Sequence, residues 1–380
     1  MTMSELVCKG CGGIVDAEGI EPFTLCECSD CGSEIIIPKP FGYLLLEKPM
    51  GIENHLAIFE GFDKSQNMDS EIFILDSSCP EYDKFYAVAK EEAVALSTLK
   101  HPNICPIMNY GDVDGQFFVT YPKMDGYPLS DYDPATQGFL DVNKVIDVLQ
   151  AAALGMAVAH HKEFAHHDLC LKNIHIDARG NVRVKNFFKS RFIYNLLQNK
   201  EELTYSVSPY FISPEKAESR LEDKRGDVFS YGVVFYYMLT GKYPFSGNTE
   251  VETVYSRVKK KPKKQEEIFN QSGARLKTAE TVEYAPPTPP IKLREDIPED
   301  ISSLIMEMLS YHPVQRPKFT EILAAINLYK AKMEKETIVK SAQKQMVRED
   351  NSTKTRAIPV MKNLAGIDPK KSQKKRFFKI

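Results

Sequence analysis

Two pairs of cysteines at the start of the chain restrict its folding more tightly than anything that follows. Cys8 and Cys11, then Cys28 and Cys31, are each separated by two residues, and glycines Gly12 and Gly32 follow the pairs. A C-x-x-C turn sets both sulfurs on one side of a tight loop, and the glycine suits the positive φ that such knuckles need. Four thiolates close a tetrahedron around Zn2+ and leave no open coordination position, so the metal would stabilise a module rather than catalyse. Five of the eight cysteines fall within the first 31 residues, and MTMSELVCKG lacks the basic start and apolar core of a secretory leader. Metal binding therefore outweighs a disulfide framework, with free thiols or a redox pair as the bland alternative. Cys26 stands one residue too close to Cys28 for the same knuckle and is left unliganded.

The cluster resembles a zinc ribbon, assigned to residues 1–37. After Pro38 and Pro40 come short apolar or alternating runs, YLLLE, HLAIFEGF, EIFILDS, ICPIMNYG and QFFVTYP, which predict strands. Between the third and fourth runs, residues from about Tyr82 to Leu99 are rich in Ala, Glu, Lys and Leu and predict one helix. From Val142 onward, Val145, Val148, Leu149, Ala152, Met156 and Ala159 recur at helical spacing, and helices are expected to dominate the second half. The segment of about 258–290 is charged, then proline-rich, and reads as an exposed insertion. Beyond Tyr329 the apolar pattern fades, which predicts a basic, flexible tail over 331–380 ending in KKSQKKRFFKI, with six positive charges. A formal net charge of −3 excludes a molecule basic all over, and no run of some twenty apolar residues predicts a membrane span. A cytoplasmic location is expected.

The segment HHDLCLKN resembles the H-R-D-L-x-x-x-N catalytic loop of protein kinases, with His166, Asp168 and Asn173 in the matching places. Asn186, Phe187 and Phe188 fall where that family has D-F-G, and Ser213, Pro214 and Glu215 where it has A-P-E. DVFSYG, from Asp227, is similar to the D-x-W-S-x-G helix start, Arg316 would pair with Glu215, and Glu92 takes the place of the helix-C glutamate. The resemblance, from about residue 41 to 328, implies an α+β, bilobal kinase-like fold: an N-lobe over 38–125 and a C-lobe over 126–330. Thr120 would be the gatekeeper beside the nucleotide, and Tyr121, Pro122 and Lys123 would begin the hinge. The family's structural positions would be Glu92, His166, Phe187, Glu215, Asp227 and Arg316. His166 and Phe187 are expected to stack with Leu96.

Several groups that phosphoryl transfer needs are replaced. EKPMGIENHLAIFEG contains no G-x-G-x-x-G. Aligning IFIL with V-A-I-K puts Leu75 at the lysine and Phe73 at the small residue bordering adenine, with Lys64, Lys84 and Lys90 as undifferentiated substitutes. Asn186 replaces the metal-binding aspartate with a neutral oxygen, a poorer ligand for a hard cation. Glu92, without its lysine, is expected to be a solvated helix residue. Asp168, Asn173 and Lys172 remain as residual catalytic candidates, with a plain loop-bracing role set against Asp168 and Asn173. His167 replaces the arginine that receives an activation-loop phosphate.

The reading that follows is a catalytically impaired pseudokinase serving as a signalling scaffold or allosteric partner of another protein, with structural Zn2+. ATP with Mg2+ or Mn2+ would bind only in a functional cleft. The alternatives are an active atypical serine/threonine kinase and, from another class, a nucleic-acid-associated zinc-ribbon protein.

Overall fold

The computed structural model describes residues 5–79, 81–197, 208–218, 220–257 and 286–354. Most of the expected insertion and the terminal KKSQKKRFFKI lie outside the described residues. The chain divides into two compact units, Met1–Tyr329 and Lys330–Ile380.

The first unit opens with two antiparallel hairpins. One is β1 (Glu5–Val7) with β2 (Ile14–Asp16); the other is β3 (Leu25–Glu27) with β4 (Glu34–Ile36). Their inner faces meet in a small core of Leu6, Cys8, Val15, Ala17, Cys28 and Ile37.

An antiparallel sheet follows, built from β5 (Lys39–Phe41), β6 (Leu44–Glu53), β7 (Leu56–Asp63), β8 (Met68–Leu75), β9 (Asn109–Val113) and β10 (Gln116–Pro122). Its spatial order is β5-β6-β7-β8-β10-β9, and helix α1 (Tyr82–Leu96) intervenes between β8 and β9. Cross-strand partners share a face, and that rule separates the two sides. Phe41, Leu44, Leu46, Ile72, Ile74 and Phe118 form a core on one side. On the other side, Phe117 packs its ring on Tyr86 of α1. The strand, strand, strand, helix, strand, strand order matches the sequence pattern, whereas β5 and the ribbon hairpins were too short to give a periodic signal.

The second half is mainly helical: α2 (Pro134–Gln137), α3 (Val142–His161), α4 (Phe187–Leu197), α5 (Pro214–Ala217), α6 (Lys224–Thr240), α7 (Glu250–Tyr255), α8 (Glu299–Met308) and α9 (Phe319–Lys354). A small sheet of β11 (Tyr127–Pro128), β12 (Ile174–Ile176) and β13 (Val182–Val184) carries the loop segments between α3 and α4. Asp141 caps α3 by accepting the N–H groups of Asn143 and Lys144. Helix α3 is long and apolar enough, by length and composition, to cross a membrane, but half of that stretch is buried inside the fold. Asp223 caps the start of α6, and Gly241, at φ 65°, ends it. Helix α6 is buried nearly all round and donates the Tyr231 hydroxyl to the carbonyl of Leu149 on α3 at 2.6 Å.

Of the basic, flexible tail expected over 331–380, the described part continues as helix through Lys354. Its Ala, Glu, Lys, Gln and Met content favours helix even where no apolar stripe marks it.

Candidate active cleft and cysteine site

The loop resembling the catalytic loop hangs from one carboxylate. Asp227, in the first turn of α6, accepts the backbone N–H groups of His166 at 2.7 Å and His167 at 2.8 Å, with His160 Nε2 at 2.8 Å. Burial alone would raise the Asp227 carboxyl, but the bond to His160 and the surrounding imidazoles hold it far below the usual carboxylate range. His166 is fully enclosed, and burial pushes it down to about 4, so it sits neutral against the Phe187 ring at 4.6 Å. Leu96 is buried on α1. Glu215 and Arg316 form a buried bidentate pair at 2.7 and 2.8 Å.

At the metal end, the polar residues bond to one another. Asn173 donates through Nδ2 to the Asp168 carbonyl at 2.7 Å and to Asp168 Oδ2 at 3.1 Å. Its remaining oxygen, Oδ1, accepts from Asn186 Nδ2 at 2.8 Å. With the amides oriented as these bonds require, Asn173 Oδ1 faces a donor where a cation would need it free. Asn186 stands in the left-handed region at φ 65° and brings no charge. Burial pushes Asp168 up to about 6, against the charges of Lys216 and Lys189 and the bond from Asn173. One raised carboxylate and two mutually bonded amides do not fit Mg2+, which favours several anionic oxygens. Lys172 is exposed, and buried Cys170 occupies the position two residues after Asp168 where many serine/threonine kinases carry lysine.

Aromatic side chains pack on the inner face of β8 and β10. Phe73 pairs with Val119 across β8 and β10, and Tyr121 pairs with Glu71, so these four residues share the face toward α1 and the cleft. Phe73 meets Tyr121 edge to face at 5.8 Å, and the Tyr121 hydroxyl accepts the Phe188 N–H at 3.2 Å. Leu75 is wholly buried. Thr120 pairs with Ile72, a member of the opposite core, and its hydroxyl lies 3.5 Å from the Asn109 carbonyl. The gatekeeper expectation for Thr120 is therefore corrected: Tyr121 is the residue turned inward. Lys123 pairs with Glu60 at 2.9 Å at the surface.

Helix α4 and the lysine before it are tied to the sheet and to α1 by ion pairs. Lys185 reaches Glu71 of β8 at 2.9 Å, and Lys189 reaches Glu53 at the tip of the β6–β7 hairpin at 2.6 Å. Arg191 grips Glu92 of α1 through two bonds, at 2.6 and 3.1 Å, and Asn195 adds a third at 2.5 Å. Three cations within seven residues thus hold carboxylates on three separate elements. The hairpin tip is itself a two-residue turn, Asn54 and His55, both at positive φ, rather than a wide glycine loop. Glu92 is consequently buried and paired, which corrects its expected solvation; its partner is an arginine from a distant segment instead of the missing strand lysine. Lys84 pairs locally with Glu81, and Lys90 lies over Tyr86. His167 stacks flat on Tyr194 at 3.5 Å, with Lys216 donating to its carbonyl at 2.7 Å.

Sequence reasoning missed Lys185, Lys189, Arg191, Glu71 and Glu53. A signal existed: Phe188, Phe192 and Ile193 recur at helical spacing immediately after Asn186, placing Lys189 and Arg191 on a helix.

In the N-terminal hairpins, the four cysteines converge. Cys8 Sγ lies 3.7 Å from Cys31 Sγ, and Cys11 Sγ 3.7 Å from Cys28 Sγ, with all four within 4.8 Å of one another. A tetrahedral site with Zn–S bonds of about 2.3 Å requires sulfur separations of roughly 3.8 Å. Gly10 and Gly13 point their N–H groups at Cys8 and Cys11 Sγ at 3.3 and 3.4 Å, while Gly12 and Gly32 take φ 77° and 70°. Cys26 turns away toward the Ile35 carbonyl. The donor set fits a structural thiophilic cation.

Comparison with known proteins agrees with this geometry. The model of the protein kinase domain matches residues 77–328. The serine/threonine-protein kinase PrkC of Bacillus subtilis is 29% identical over 163 residues, 43% of this chain and 25% of PrkC. The serine/threonine-protein kinase PknB of Mycobacterium leprae is 25% identical over 268 residues, 70% of this chain and 38% of PknB. The chain thus spans well under half the length of these relatives. The kinase domain of PknI from Mycobacterium tuberculosis superposes with a TM-score of 0.53 at 15% identity, covering 76% of this chain and 97% of that one. The catalytic-loop frame, the buried ion pair and the family match together make this chain a member of the protein kinase family, with a four-cysteine module at its N-terminal end.

Proposed function

We propose that the chain is a pseudokinase: a kinase-like protein whose cleft is shut to Mg–ATP and which acts through protein contacts, as a signalling scaffold or allosteric partner. The observation that carries this reading is the replacement of ligand-binding capacity by internal bonds. Asn173 Oδ1 accepts from Asn186 Nδ2, and Lys185, Lys189 and Arg191 are each paired with a carboxylate across the cleft. Zn2+ is the metal proposed for Cys8, Cys11, Cys28 and Cys31, in a structural role. The proposed location is cytoplasmic.

A second reading, an active atypical serine/threonine kinase, draws on Asp168 in the loop and on relatives that bear the serine/threonine kinase name. The nucleic-acid reading rests on the basic KKSQKKRFFKI segment alone, because residues 1–37 hold seven acidic residues against one basic residue, Lys9. The test is phosphate incorporation into generic protein substrates from ATP with Mg2+ or Mn2+. None is expected above background. Incorporation that disappears in Asp168→Asn would replace the pseudokinase reading with the active one.

A further inference from the structure

The cysteine module makes specific contacts with the kinase-like sheet. Phe23 lies between the two hairpins and stacks on Phe59 of β7, with ring centroids 6.0 Å apart and an interplanar angle of 16°. It packs against the sheet core of Phe41, Leu44, Leu46, Ile72, Ile74 and Phe118. Its backbone sits at φ 65°, a conformation a bulky aromatic residue rarely adopts, so something must hold it there. The Phe23 N–H donates to the Ile37 carbonyl at 2.7 Å, and Ile37 belongs to the same small core as Cys8 and Cys28. Lys9, inside the first knuckle, reaches Glu47 of β6 at 2.9 Å and Asp69 of β8 at 3.4 Å, and lies 5.9 Å from the Phe62 ring of β7.

We infer that the module is a metal-dependent clamp on strands β6, β7 and β8. The module's buried core has six residues, two of them metal-site cysteines, which is too few to hold thirty-odd residues folded without the metal. Loss of the metal therefore releases Phe23 and Lys9 together. The two grips fall on opposite faces of the sheet that lines the cleft: Phe59 faces Phe23 on the side of Ile72, whereas Lys9's partners Phe62 and Asp69 pair with each other on the face that carries Phe73. Metal occupancy is thereby coupled to the rigidity of the cleft-lining sheet. Each Lys9 ion pair is exposed and contributes little alone; the aromatic contact and the simultaneous grip on three strands carry the effect.

The test is amide hydrogen exchange on the full chain, zinc-loaded and after chelation, together with the loaded Phe23→Gly/Lys9→Met variant. Glycine accepts the positive φ, so this variant removes the contacts without adding strain. Chelation should speed exchange in β6–β8 by about two- to tenfold, the protection an aromatic pair of this kind confers, with α6 unchanged. The loaded variant should bind one zinc per chain and still exchange like the chelated protein. The inference is overturned by unchanged β6–β8 exchange after chelation, by full protection in the loaded variant, by a collapse of protection in α6 as well, or by failure to take up stoichiometric zinc. No nucleotide enters this experiment, so its failure leaves the reading of the cleft standing.

Discussion

The cysteine site and the metal end of the cleft are both clusters of potential metal ligands, and they differ in what their donors face. Four sulfurs converge on a common centre at tetrahedral spacing, and backbone N–H groups support those of Cys8 and Cys11. In the cleft, Asp168, Asn173 and Asn186 are bonded in series. Donors kept for a ligand are held apart by second partners, as metal-site design requires. Under the proposed reading, donors without a ligand are bonded to one another, because an unpaired buried polar group costs about 1–3 kcal/mol. The comparison teaches that a retained residue type, such as Asn173, does not by itself indicate a retained site.

The largest expected effect breaks the first half of that comparison. Cys28→Ser should abolish stoichiometric zinc binding, measured by metal analysis, and unfold the module, since structural zinc in small domains supplies on the order of 10 kcal/mol. Next, Arg191→Ala leaves Glu92 buried without its cation and should destabilise the protein by about 3–5 kcal/mol in a denaturant titration. A cost near zero would mean that α4 does not hold α1.

A third prediction uses pH. Asp168 is raised to about 6 from an ordinary value near 4, so the folded state binds the extra proton between those values. Stability from this group is greatest below pH 4, declines as pH rises through 6, and is flat above it. Asp168→Asn should accordingly be more stable than the parent at pH 7.5, by on the order of 1–2 kcal/mol, with the advantage vanishing near pH 4. An equal difference at both pH values would place the carboxylate in a solvated setting. The smallest effect belongs to Lys189→Ala, whose partner Glu53 is more than half exposed; loss of that pair should cost under about 1 kcal/mol.

Where the sequence was legible, chemistry fixed the spacing. The C-x-x-C pairs, the loop ending in Asn173, and Glu215 with Arg316 all depend on residue types that few others can replace. Less legible were the sides of strands and the partners of charges. Thr120 and Tyr121 are adjacent, and a one-residue difference in register exchanges their faces, so only the pairing with Ile72 and Glu71 distinguishes them. The partner of Glu92 lies 99 residues away in the chain, on a helix whose position follows from tertiary packing, and no local spacing announces it. The helix beyond Tyr329 went unread because it has propensity without an apolar stripe.

The most direct test of the closed cleft is the unfolding temperature of zinc-loaded protein with millimolar ATP, with and without Mg2+ or Mn2+. A ligand at one hundred times its dissociation constant stabilises the folded state by about 2.7 kcal/mol, a shift of several degrees for a domain of this size. The account predicts no shift under any metal condition. A metal-dependent rise would contradict it, showing that Asn173 and Asn186 part to admit a cation and that Phe73 and Tyr121 yield to a base.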